Sequence, residues 1–560
     1  MAYRNLDEFF IRLEQAGELI HIKQPVNIDG DITRITLESR YAKDNKALWF
    51  DNVIGSDMPV VTNIFTSEKR VAWALGVDNI DELYARMDKL ISTELPANFS
   101  GLMGRAGEFM GIMRNIAMTQ AKSCNACVQD IVITEPSKID VTQLPILRNH
   151  PDDSQHCIIS AQLITSDETT SHQQHQLANV QVINANTLQI PIRKLQINAH
   201  QERIACAIAV GGDPAEMCAT LAPLPSGFSP YQLAGLIRNR PVNMIPAKTQ
   251  AVNVPSDAEI VIEGWIDTSD RHTNTTLAYE TGQYITGEAY ATMHITAITH
   301  RSDAVYPAFI PTIGELDGFR ELINKLFLPV LKLLIEGLID ISLPSLAGEN
   351  SLAIVSINKH YIGHAQQTLY ALWGLGQLAQ LKTIIVVDSD VDVKDSRAVT
   401  EQILQHTGWA HDLTRVRGIM PINNQATGNN LLGTKLGIDA TLKSPKQALI
   451  IQEISDKALD KVIDGCWANP INRLIVISQI DTQIDANNIY QQVWEIYPDH
   501  TIVLIDDGYT ENNLKLIATK ALVNIDWETD IIIHSDEGHS NSIGIDARSK
   551  TPIKWVNPIA

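Results

Sequence analysis

Cysteine is scarce, with six residues in a chain of 560. So few exclude a disulfide-stapled secreted scaffold and point to a reducing compartment. Cys124 and Cys127 form one C-x-x-C, but no second pair stands where a zinc site needs it. Both read as half-buried thiols near a strand start. Long uncharged apolar runs are also missing. The most apolar stretch, residues 326–343, is broken by Lys332, Glu336 and Asp340 and reads as a buried helix. A membrane span needs about 20 nearly uncharged residues. The opening MAYRNLDEFFIRLEQAGELI carries acids throughout and reads as a capped amphipathic helix, not a targeting peptide, so the cytoplasm is the expected location. Basic charge is in deficit: 44 Lys and Arg against 65 Asp and Glu leave a net −21. Phosphate polymers and anionic membranes need a basic face, so no nucleic-acid partner is expected. No Gly-rich loop of the Rossmann or Walker type is present either.

What the chain has is length and periodicity. At roughly 100–200 residues per domain it holds three or four domains. Residues 1–120 read as an α/β region, with a helix near 5–17 and strands near 19–22, 48–50 and 60–64. From 121 to 312 short β-branched runs dominate, among them CIISAQLIT (157–165), NVQVIN (179–184), IACAIAV (204–210), AEIVIEGWI (258–266) and MHITAIT (293–299). Turn clusters separate them, which predicts a mainly antiparallel sheet or barrel. Residues 313–345 hold a linking helix with apolar Leu322, Leu326, Val330, Leu333 and Leu334. From 346 to 445 strands alternate with helical stretches, the pattern of βαβ units on a parallel sheet. Residues 446–560 read as an α/β extension carrying a partial internal repeat. TIIVVD (383–388) recurs as TIVLID (501–506) and Trp409 recurs as Trp527, both at an offset of 118. LGIDA (436–440) recurs as IGIDA (543–547) at an offset of 107, so the second copy is shorter.

Several segments, in order, resemble the UbiD family of decarboxylases, which use prenylated flavin mononucleotide. TNIFTSEKRVAWALG (62–76) is similar to the family's "N.FG...R.A.ALG" stretch. AVGGDPA (209–215), APLPSG (222–227), AGLIRNRPV (234–242), VPSDAEIVIEG (254–264) and ITAITHRSDAVYP (295–307) follow its central order. YIGHA (361–365) and LLGTKLGIDAT (431–441) match its C-terminal part. The resemblance implies an α/β plus β fold: an N-terminal α/β region, a split-barrel flavin domain, a linking helix and a C-terminal α/β oligomerisation domain. It implies prenylated FMN with Mn2+ and K+, an aromatic or α,β-unsaturated carboxylic acid as substrate, a flavin prenyltransferase as cofactor supplier, and a homo-oligomer.

In the family a divalent metal bridges the flavin phosphate to an Asn, a His and a Glu, ligands that suit manganese. An Arg clamps the substrate carboxylate, and two carboxylic residues complete its network, one of them delivering a proton. The "NVGxYR" motif falls on Asn179–Asn184: Asn179 keeps the metal-ligand Asn, and Asn184 stands where the Arg belongs. His200, at the family's spacing beyond Asn179, matches the metal His. Pro230 replaces the Glu of "LP.G..E", and a dication without that anionic ligand is held loosely. The acid pair falls on Asn274 and Tyr279, or, with a one-residue gap, on Thr275 and Glu280. Lys435 matches a Lys that reaches the flavin, or else starts an exposed helix; His364 reads equally as a helix cap or a catalytic group. NHPDDSQH (149–156) reads as a turn with solvated side chains, and His172 and His175 as a polar loop facing solvent.

Two readings follow. In one the chain is a working carboxy-lyase, with Glu280 as acid and His150 or Arg193 as carboxylate anchor, and a polyprenyl-hydroxybenzoate in quinone synthesis is one candidate substrate. In the other it is a catalytically silent paralogue, a structural or regulatory subunit, because the Arg, the metal Glu and at least one acid are replaced by neutral residues. A plain FMN-binding protein with other chemistry is a third.

Overall fold

The computed structural model describes residues 3, 5–42, 45–92, 114–115, 119–120, 126–166, 173–192, 195, 202–220, 222, 224, 229–273, 276–278, 284–286, 288–312, 317–344, 351–421, 424, 426, 432–443, 473–478, 480–506, 514–535 and 541–550. They form two compact units, one ending at Leu326 and the other beginning at Phe327.

In the first unit the N-terminal segment forms helix α1 (Leu6–Gln15), capped by Asn5, whose side chain accepts the Glu8 N–H at 3.3 Å. Asp7 and Glu8 sit in the first turn, where the positive end of the helix dipole favours them. Phe9, Phe10 and Leu13 share the buried face. Strands β1 (Leu19–Ile22), β2 (Ala47–Phe50) and β3 (Val60–Thr62) follow, β1 parallel to β2 and β2 antiparallel to β3. Cys127 is exposed at a short 3-10 turn rather than half-buried; Cys124 lies outside the described residues.

Six strands then close on themselves: β4 (Cys157–Ser166), β5 (Gln173–Asn184), β6 (Thr187–Pro191), β7 (Arg203–Val210), β8 (Ile260–His272) and β9 (Tyr290–His300). Their order is β8-β7-β4-β5-β6-β9, every pairing is antiparallel, and β9 returns to β8. Closure leaves these staves no open edge. Alternate residues point inward, so Ala178, Val180 and Val182 of β5 share a core with Ile204, Cys206 and Ile208 of β7. At Gly264 the β8–β9 register slips, and a Cβ there would lie 2.2 Å from the His294 carbonyl oxygen. Only glycine fits that approach. Helices α2 (Pro214–Thr220) and α3 (Pro230–Arg238) fall between β7 and β8.

Helix α4 (Asp317–Leu334) buries Leu322 and Leu326 but leaves Leu333 and Leu334 68% and 60% exposed. The apolar stretch 326–343 is therefore not one buried helix. Gly337, at φ +70°, turns the chain out of α4 and into strand β10 (Leu338–Ser342). Next come β11 (Leu352–Ile357), α5 (His364–Trp373), β12 (Thr383–Asp388), α6 (Ser396–His406), β13 (Leu413–Ile419) and β14 (Leu432–Asp439). The sheet runs β10-β11-β12-β14-β13, with β11, β12 and β14 parallel and both edges antiparallel. Residues 444–472 lie outside the described residues. Beyond them β15 (Leu474–Ile477), α7 (Ala486–Ile496), β16 (Thr501–Leu504), α8 (Leu514–Asn524), β17 (Ile531–Ser535) and β18 (Asn541–Asp546) form a sheet in the order β15-β16-β18-β17. Again the first three in that order are parallel and the edge, β17, is antiparallel.

Candidate functional site

Strand β4 bulges between Ile158 and Ala161, with Ser160 at φ +54°. This backbone is uncommon for a residue with a Cβ and is held from outside: the Ser160 N–H donates to Asn179 Oδ1 at 3.0 Å. The bulge lines a cavity of about 30 Å3 together with Gln162, Gly211, Asp213 and Phe309. That is room for about one water molecule. Asp213 Oδ1 caps α2 by accepting the Ala215 N–H at 2.9 Å, and Oδ2 takes Arg238 Nη1. The same guanidinium lies 3.4 Å from Glu216 and 3.9 Å from Asp257. Three acids share one Arg, and burial pushes the Glu216 carboxyl well up, against the pull of Arg238.

A second polar group lies along the outer face of the barrel. Cys157 pairs with Gln181 across β4 and β5, Gln181 with Gln189 across β5 and β6, and Gln189 with Thr292 across β6 and β9. Residues directly opposite each other share a face, so these four form a transverse row. All four are buried. Neither amide atom of Gln181, nor Gln189 Oε1, has a partner among the described residues. The segment 147–157 runs beside this row, with the Cys157 N–H donating to Leu147 O and the Val182 N–H to His156 O. In it Asp153 accepts N–H groups from His150 at 2.9 Å and Ala278 at 2.7 Å. The His150 ring stands edge-on to Tyr284, centroids 6.3 Å apart, and its buried Nε2 has no partner among the described residues.

Burial sets the charges here. It pushes His150 down to about 4 and Asp153 up to about 6, and it pushes the Cys157 thiol well up, with Asp153 and Glu288 adding to the effect. Near neutral pH the row offers a thiol and two amides, and the segment beside it a neutral imidazole and one carboxylate. Such a set recognises hydrogen-bonding groups and supplies no thiolate nucleophile. His150 and Asp153 are 5% and 4% exposed, so the expected solvated turn is in fact half interior. His175 likewise does not lie in open solvent: its ring packs edge-on to Tyr231 at 4.5 Å.

The residues singled out from the sequence fall in different places. Asn179 is half-buried with its oxygen already engaged by Ser160. Asn184 is exposed in the β5–β6 turn, where it accepts the Asn186 N–H at 3.1 Å. Pro230 is the first residue of α3, behind a Ser229–Gln232 capping box. Lys435 does not start an exposed helix. It lies buried in β14, donates to the Ala379 carbonyl, and is pushed down to about 8 by burial. His364 opens α5 with Nδ1 accepting the His360 N–H at 3.2 Å and Nε2 facing Glu336 O at 2.8 Å. Those two bonds hold the ring in one orientation at the start of α5. His200, Glu280, Arg193, His172, Asn274, Thr275 and Tyr279 lie outside the described residues. Gln181 and Gln189 were missed because an outward polar position on a strand ordinarily reads as solvent-facing. The signal available was their place between Val180 and Val182, and between Leu188 and Ile190.

Asn179 Oδ1 is occupied by a backbone N–H, Pro230 has no donor atom, and among the described residues no three His, Cys, Asp or Glu side chains converge. Among those residues a divalent ion finds no complete set of side-chain ligands.

Three models of the 3-octaprenyl-4-hydroxybenzoate carboxy-lyase family match the chain in order: its N-terminal domain at residues 11–90, its Rift-related domain at 119–313 and its C-terminal domain at 318–440. The chain belongs to the UbiD family. An uncharacterised protein of Archaeoglobus fulgidus is 32% identical over 470 residues, covering 79% of this chain and 92% of its own length. One from Aquifex aeolicus is 30% identical over 486 residues, covering 83% and 98%. Among solved structures, the UbiD-class enzyme HmfF of Pelotomaculum thermopropionicum in complex with FMN superposes with a TM-score of 0.64 at 22% identity, over 82% of this chain and 98% of its own. Vanillic acid decarboxylase of Sedimentibacter hydroxybenzoicus, in its closed form, gives 0.70 at 21% identity over the same shares. At such identities these likenesses establish the UbiD fold. The family match ends at residue 440.

Proposed function

We propose that this UbiD-family chain is a carboxy-lyase that binds prenylated FMN and decarboxylates, or carboxylates, an aromatic or α,β-unsaturated acid, a hydroxybenzoate type included. The observation that carries the reading is the buried row with Gln181 and Gln189, together with the buried His150 ring of the segment that runs beside it. Leaving a buried amide unpaired costs about 1–3 kcal/mol, and a site no longer used has no reason to keep that cost. Those groups suit the hydroxyl or carboxyl oxygens of a small acid. Relatives of the same fold support the reading, since HmfF is described with FMN and with prenylated FMN, and the Sedimentibacter enzyme as a vanillic acid decarboxylase. On this reading Mn2+ and K+ accompany the flavin, Asn179 and His200 serve the metal, Lys435 serves the flavin and Glu280 serves as the acid. A flavin prenyltransferase supplies the cofactor, the chain self-associates, and it works in the cytoplasm.

The second reading, a silent paralogue, is favoured by Pro230 and by the engaged oxygen of Asn179. One experiment separates the two. The chain is co-expressed with a flavin prenyltransferase, purified with Mn2+ and K+, and its visible spectrum recorded before screening acrylic and hydroxybenzoic acids. Stoichiometric flavin and release of CO2 are expected, with Gln181→Leu keeping the flavin and losing at least about tenfold in kcat/KM, about 1.4 kcal/mol. A chain that melts cooperatively but carries no flavin would establish the silent reading instead.

A further inference from the structure

Residues 352–440 and 473–550 are built alike. In each, a strand, a helix, a second strand, a second helix and an antiparallel pair follow in that order, and the strand orders β11-β12-β14-β13 and β15-β16-β18-β17 correspond one to one. The registers correspond too: Leu352 pairs with Thr383 and Leu413 with Ile438, as Leu474 pairs with Thr501 and Ile531 with Ile545. Even the close approaches match. A Cβ on Gly437 would meet Leu369 of α5 at 2.4 Å, and one on Gly544 would meet Tyr490 of α7 at 2.8 Å.

The decisive point is which residues the two copies bring to each other. A single hydrophobic core holds Val387 with its equivalent Ile505, Trp409 with Trp527, and Leu436 with Ile543. Each copy thus offers the same patch to the other. Use of one patch on both sides is the mark of a two-fold, isologous interface, and two unrelated units packed together have no reason to show it. Hydrogen bonds cross the same boundary: Trp527 Nε1 donates to Thr383 Oγ1 at 2.9 Å, Thr434 Oγ1 to Glu528 Oε2 at 2.8 Å, and the buried Lys382 ammonium to Leu522 O at 2.6 Å.

We infer that residues 473–550 are a fused second copy of 352–440, seated in the same chain on the face by which two such units pair. The extension is what this face binds. It is closed to a second chain, and whatever self-association the protein shows must use another surface. The match of the family models stops at residue 440, so the added copy is a feature of this chain beyond the family's common parts.

The test reads chain identity directly, whatever the oligomeric state. The photoreactive residue p-benzoylphenylalanine is placed at position 527 of the full-length chain, which is irradiated, run on a denaturing gel and digested. An adduct at single-chain mass, joining position 527 to a peptide within 352–440, is expected. The reciprocal probe at position 409 should join a peptide within 473–550. Should the bulky probe at 527 disturb folding, the half-buried Ala521, whose side chain packs on the same core, takes it instead. Adducts at two-chain mass would show the copies pairing between chains and overturn the inference. So would reciprocity that fails, or no adduct from any of these positions.

Discussion

His150 shows how burial sets a charge state at one residue. Its backbone N–H is tied to Asp153, its ring stands against Tyr284, and loss of water pushes its pKa to about 4. The neutral ring is therefore the folded form. Its contribution to stability is fully present above the ordinary pKa of 6.5 and is lost as the pH falls toward 4, in all about 3 kcal/mol. We predict that His150→Gln, which keeps the backbone bond to Asp153, removes this slope. Chemical denaturation from pH 7 to pH 4 should show the wild type losing ground to the variant across that window. A difference that stays flat would mean the ring is solvated. The sequence placed this histidine in a polar turn, and polarity there was real: Asp152 is exposed and His156 is partly so. What local composition could not show was the strand pair Thr276–Ala278 and Tyr284–Thr286, which reaches Asp153 through Ala278 from 125 positions away. Long-range cover of this kind leaves no trace in neighbouring residues.

Among elements, strands with a strong period were the legible ones. The staves of the barrel and the βαβ alternation after Leu352 follow from β-branched runs and their spacing, because period and propensity agree with the tertiary environment there. The apolar stretch 326–343 misled for the opposite reason. Its composition suits helix and strand equally, and the break is made by one glycine, Gly337, whose positive φ only the structure displays. Asn184 lies at the end of its strand, in an exposed turn. A motif match counts residues, whereas the tight turn at 184–187 decides which of them reach the barrel. Glycine also governs the two parallel sheets of the second unit. At Gly437 and Gly544 the strand lies so near its covering helix that a methyl group meets Leu369 or Tyr490. Overpacking of this type costs about 1–3 kcal/mol. Gly437→Ala and Gly544→Ala are each expected to lower stability by that amount, with urea midpoints as the readout. A neutral effect at either would show that the facing side chain simply turns aside.

For the whole chain the consequence lies in cooperativity. A core shared by Val387, Trp409 and Leu436 with Ile505, Trp527 and Ile543 belongs to neither sheet alone. Each sheet separated from the other would expose that apolar face, at roughly 25 cal/mol for every Å2 uncovered. Opening one copy therefore removes the support of the other, and the pair should behave as a single cooperative unit. Ile543→Ala truncates a fully buried side chain in the second copy, a change that costs about 2–5 kcal/mol in a packed core. If the copies are coupled, that loss does not stay local. Amides of β11, β12 and β14, more than a hundred positions away in sequence, should gain the same increase in hydrogen-exchange rate as those of β15, β16 and β18. The barrel strands β4–β9, in the other compact unit, give the internal reference and should exchange as before. Faster exchange confined to 473–550 would mean that the extension opens on its own and that the shared core adds little to the sheet it covers.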